Sequence, residues 1–156
     1  MKTILLSEGL QTFVNERIGG ELKAEAMYRV IANVAQNLGL FGVQSWALKA
    51  SAEEAEHYQR WVNIANDYGM VVNYNLEIVT PPNTLDEIID MATGAERELF
   101  YRYSEGSKSF EDVGIHEACL EFVKIQRLAV GEMLDIKARK ELNGDIYAFD
   151  KYMGSL

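Results

Sequence analysis

Val71-Val72-Asn73-Tyr74-Asn75-Leu76-Glu77-Ile78-Val79 decides the architecture of this chain. The stretch reads as extended backbone inside residues 69–83, the one long segment without helical periodicity. A connection this long with no structure of its own is unusual unless it spans the length of an element. Pro81 and Pro82 are the only prolines and both fall here, so the rest of the chain is free of the strongest helix breaker. Strand-type alternation is scarce, and an all-helical chain follows.

Two helices are expected on each side of the crossing. Ser7 reads as an N-cap, and Leu10, Phe13, Val14, Ile18, Leu22, Met27, Val30, Ile31 and Val34 mark a first helix to about residue 38, stopped by Gly39. Gly19-Gly20 weakens its middle by roughly 1 kcal/mol per glycine. A second helix covers about residues 40–68 and ends at Gly69. Thr84 with Glu87 forms a capping box that starts a third helix, running to about residue 105. After the tight connection 106–109, a fourth helix covers about 111–142, and a short fifth covers 145–153. Two short turns separated by one long crossing is four-helix-bundle arithmetic, and the crossing makes the second and third helices parallel. One domain over 1–156 is expected.

Composition narrows the function. The formal net charge is -9, which disfavours nucleic acid and anionic membrane and favours cations. Cys119 is the sole cysteine, so no disulfide framework is possible within the chain, which suits a reducing compartment. The apolar run at residues 1–6 is too short for a signal peptide, and nothing approaches the ~18 apolar residues of a spanning helix. A cytoplasmic protein is expected.

Chemistry enters with Glu54-Ala55-Glu56-His57. Glu54 and His57 are three residues apart, close to one helical turn, and leave the same face. A carboxylate oxygen and a neutral imidazole nitrogen aimed one way can grip a transition metal. Glu21, Glu96 and Glu132 lie near the apolar stripes of the first, third and fourth helices, each about mid-helix. A buried carboxylate is expensive to ionise, and four that converge repel one another. A di-metal cluster removes both penalties. Taken singly, Glu21 and His57 read more simply as surface or hydrogen-bonded groups, and Glu25, Glu53, Glu56 and Glu98 as surface charge.

The chain resembles the non-haem bacterial ferritins of the ferritin-like superfamily. Asn15-Glu16-Arg17-Ile18-Gly19-Gly20-Glu21-Leu22 is similar to that family's Asn-Glu-Gln-x-x-x-Glu-Leu, with Tyr28 where the family has a tyrosine beside the iron site. Glu53-Glu54-Ala55-Glu56-His57 resembles Glu-Glu-x-x-His, Glu96 matches a lone acidic ligand, and Ile146-Tyr147-Ala148-Phe149-Asp150-Lys151 resembles the short fifth helix. The fourth helix departs from the pattern, with Leu128, Ala129 and Val130 near the position of the family's acid cluster. Two registers stay open there, one placing Gln126 and one placing Glu132 as the last ligand. The apolar stripe Phe122, Ile125, Ala129, Ile136 favours Glu132.

The resemblance implies iron storage with ferroxidase activity. Glu54 would bridge two irons, Glu21 and His57 would complete one position, and Glu96 with Glu132 or Gln126 the other. Tyr28 would be a nearby hydrogen-bonding or redox group, and Glu53 the one acid left from a third iron site. Fe(II) would be the substrate, oxygen or peroxide the oxidant, and the ferric product would mineralise in a cage of ~24 subunits. No haem is expected, because Ala55 stands where haem-binding relatives carry methionine. A di-iron oxidase or peroxidase without mineral, and a degenerate cage that oxidises iron slowly, are the alternatives.

Overall fold

The computed structural model describes residues 2–156. Five helices follow in order: α1 (Glu8–Asn37), α2 (Phe41–Asp67), α3 (Leu85–Gly106), α4 (Val113–Leu142) and α5 (Ile146–Ser155). No strand occurs among the described residues. The protein is an all-α four-helix bundle with a long crossover between α2 and α3 and a short fifth helix.

Local signals fix the ends. Ser7 accepts from Leu10 N, Thr84 from Glu87 N and Asp112 from Ile115 N. The last of these starts α4 two residues later than the spacing predicts. Gly39 and Gly69 both adopt φ +75°, the left-handed region open to glycine. Each closes a Schellman motif, with Leu40 N on Ala35 O at 2.8 Å and Met70 N on Ala65 O at 2.9 Å. The stop at Gly39 turns the chain sharply enough for α1 and α2 to pack against each other.

α2 lacks a cap of its own. Its N-cap position is Leu40, which offers no side-chain acceptor. Asp150 of α5 supplies the acceptor instead, taking Gly42 N at 3.0 Å and Val43 N at 2.8 Å. The helices approach so closely that a Cβ at Gly42 would collide with the α5 backbone at Asp150, which only glycine avoids.

Two apolar clusters fill the bundle. Ile31, Val43, Ile88, Ile136 and Phe149 belong to one, and Val14, Ile18, Trp61, Tyr103 and Phe122 to the other. Between them lies the layer that carries Glu21, Glu54, Glu96 and Gln126. No helix is long and apolar enough to cross a membrane among the described residues.

Candidate metal centre

Each of the four long helices carries a buried carboxylate or carboxamide near its middle. Glu21 (α1), Glu54 (α2), Glu96 (α3) and Gln126 (α4) are all buried, Glu21 completely so at 0% exposure. His57 sits one turn beyond Glu54 and is partly buried. One ligand atom each from Glu21, Glu54 and His57 lie within 4.8 Å of one another. His57 Nδ1 is 3.1 Å from Glu54 Oε2 and 3.7 Å from Glu21 Oε2.

A second group faces the first. Tyr28 donates its hydroxyl to Glu96 Oε1, and Gln126 Nε2 donates to Glu96 Oε2 at 3.1 Å. Tyr103 donates its hydroxyl to Glu21 Oε1. Two buried oxygens remain without a hydrogen-bond partner, Glu21 Oε2 and Gln126 Oε1. Polar groups in protein interiors are almost always satisfied, so two orphaned acceptors in one layer point to a missing electrophile. Carboxylate oxygens with one imidazole nitrogen are a donor set suited to divalent first-row metals.

Without an ion, protons hold the cluster together. Burial pushes Glu54 up to about 9, reinforced by Glu21 and Glu96 and opposed by His57. Burial alone would lower His57, but Glu21 and Glu54 lift it to about 10. Glu21 also suffers burial, yet His57, Glu54 and the Tyr103 hydroxyl hold it below the ordinary carboxylate value. Burial raises Glu96 against the pull of Tyr28 and Gln126. Burial thus favours the protonated form of Glu54, while the two acids favour the charged form of His57. A dication entering the cluster must displace protons from Glu54 and His57.

A cavity of about 340 Å³ leads outward from this layer. Tyr28, Glu54, His57, Glu96 and Gln126 line its inner part, and Glu53, Glu56 and Glu132 its solvent side. Glu53 and Glu132 are exposed. The apolar stripe favouring Glu132 on the interior of α4 is thus rotated from the true one. The buried side runs through Ile115, Cys119, Phe122, Gln126, Met133 and Ile136, while Ile125 and Ala129 are only partly buried. Gln126 follows Phe122 by four and precedes Met133 by seven, which sets it inward. Glu132, one residue before Met133, is turned by about 100° from that side.

Tyr103 joins the site unannounced by any metal-ligand motif, but its spacing carries a signal. It follows Glu96 by seven residues, as Tyr28 follows Glu21 by seven.

No family model matches the sequence, and no curated protein does. Solved structures do match. An open pore ferritin from the hyperthermophilic archaeon Archaeoglobus fulgidus superposes with TM-score 0.86 at 20% identity, covering 96% of each chain. A closed form of the Archaeoglobus fulgidus ferritin, engineered by site-directed mutagenesis, gives TM-score 0.85 at 21% identity over 96% of each chain. A humanized archaeal ferritin gives 0.86 at 19%, again over 96% of each. Likeness at this identity establishes the fold.

Proposed function

We propose that this chain is an iron-oxidising ferritin-type protein that takes Fe(II) into the middle of its bundle. The observation that carries the reading is the Glu21–Glu54–His57 cluster, its two carboxylates buried and its ligand atoms within 4.8 Å, with Glu54 and His57 in one cavity lining with Glu96 and Gln126. Glu54, which lines the same cavity as Glu96 and Gln126, is the candidate bridge. Glu21 and His57 hold one position, and Glu96 with Gln126 borders the other. Iron bound there is the reductant, and oxygen or peroxide is the electron acceptor. Glu53 and Glu132 at the cavity's solvent side attract the incoming cation. The ferritin-like fold supports storage of the ferric product in a symmetric cage, for which we propose 24 subunits in the cytoplasm.

One observation favours a second reading, a di-iron oxidase with few subunits and no mineral. α4 presents Leu128, Ala129 and Val130 near the position of the ferritin acid cluster, and only Gln126 reaches the buried layer from that helix. Iron-dependent oxygen uptake, followed for the native chain and Glu54→Ala, tests the shared chemistry. The native chain should oxidise Fe(II) and the variant should lose at least about 10-fold in rate. Equal rates would defeat both readings. Size-exclusion chromatography with iron analysis then separates them, because storage requires a shell-sized particle with many irons per chain.

A further inference from the structure

Glu21 and Tyr28 are seven residues apart on α1, and Glu96 and Tyr103 are seven apart on α3. Seven residues is about two turns, so each pair shares a face with its members roughly 10 Å apart. The pairs interlock across the bundle. Tyr28 of α1 donates to Glu96 of α3, and Tyr103 of α3 donates to Glu21 of α1. The order of contacts reverses between the helices, so α1 and α3 run antiparallel and the four side chains obey an approximate two-fold relation.

Packing alone does not demand this arrangement at Tyr103. Its ring is stacked against Trp61 at 5.9 Å and 10°, and against Phe122 at 4.9 Å and 25°. A phenylalanine would make the same stacks. What tyrosine adds is a rigidly aimed hydroxyl on Glu21 Oε1. Glu21 then has one oxygen left. That atom, Oε2, is buried, accepts no hydrogen bond and lies 3.7 Å from His57 Nδ1. A buried acceptor left empty is costly unless something binds it.

We propose that Tyr103 is a positioning residue of the metal centre. By occupying Glu21 Oε1 it leaves Oε2 as the single free oxygen, aimed at the space shared with Glu54 and His57. Tyr28 plays the corresponding part for Glu96, so each half of the centre is oriented by the helix that supplies the acid of the other half. The inference rests on the metal-centre reading above and adds a residue to it.

Co(II) titration of the metal-free chain, read by visible absorption, tests this without any turnover. Tyr103→Phe should bind Co(II) about 10–100-fold more weakly with an altered band. Replacing Tyr103 with 4-aminophenylalanine, which keeps the ring and a donor, should restore the native titration. Should Tyr103→Phe not fold, 4-methylphenylalanine fills the hydroxyl's volume without donating and takes its place. A donor-free variant whose affinity and band match the native chain overturns the role of Tyr103 and leaves the metal centre standing. A native chain that binds no Co(II) overturns both.

Discussion

Gln126 and Glu96 meet across the α3–α4 seam, with Gln126 Nε2 on Glu96 Oε2 at 3.1 Å and both side chains buried. Glu132, six residues further along α4, stands exposed. The two positions should therefore respond differently to mutation. Gln126→Leu removes the only donor on Oε2 and should cost about 1–3 kcal/mol of stability, read by denaturant unfolding. It should also slow Fe(II) oxidation about 10–100-fold. Glu132→Gln should change stability by no more than about 0.5 kcal/mol and oxidation far less than Gln126→Leu. The reverse order in the oxidation assay would place the last ligand at Glu132.

Protonation of the cluster sets a pH dependence with a definite sign. Folding raises Glu54 from 4.5 to about 9 and His57 from 6.5 to about 10. The metal-free folded chain thus holds more protons than the unfolded chain between these values. Stability from these groups is fully present below the unfolded values and is lost as pH rises toward about 9 to 10. The melting temperature of metal-free protein should fall between about pH 6 and pH 9, by about 2–4 °C for each kcal/mol lost. Bound Zn(II) replaces the protons, so the loaded protein should show a flatter profile. Calorimetry in buffers of different ionisation enthalpy should register proton release on binding. A metal-free melting temperature that climbs over this interval would contradict the assignment.

The bond between Asp150 and the first amides of α2 makes a third prediction. Asp150→Ala leaves Gly42 N and Val43 N without their acceptor and should cost about 0.5–2 kcal/mol, the range for a lost N-cap. Because the cap comes from another helix, the loss should also free α5. Hydrogen exchange should speed up at residues 146–155 and at the start of α2, with the middle of α1 unchanged. Uniform protection across α5 in the variant would show that Phe149 and Met153 hold it unaided.

Most of the fold was legible because its signals are local. Ser7, Thr84, Gly39 and Gly69 act on the backbone within a few residues, and the apolar spacing of α1 repeats often enough to fix its buried face. α4 was harder. Leu128 and Leu134 are apolar yet exposed, and Gln126 is polar yet buried, so hydropathy alone misorients the helix. The partner that makes Gln126 tolerable inside, Glu96, lies 30 residues away. The roles of Asp150 and Tyr103 likewise depend on partners distant in sequence, Gly42 and Val43 for one and Glu21 for the other. Glu21, Glu54 and His57 could be singled out because helical spacing orients each side chain locally. Their convergence required the bundle.

Anomalous scattering from crystals grown anaerobically with Fe(II) would locate iron relative to the bundle interior. An iron peak bonded to Glu21, Glu54 and His57 is expected, with a second peak beside it bordered by Glu54 and Glu96. An interior free of anomalous density, with iron only on surface acids, would contradict an iron site within the bundle.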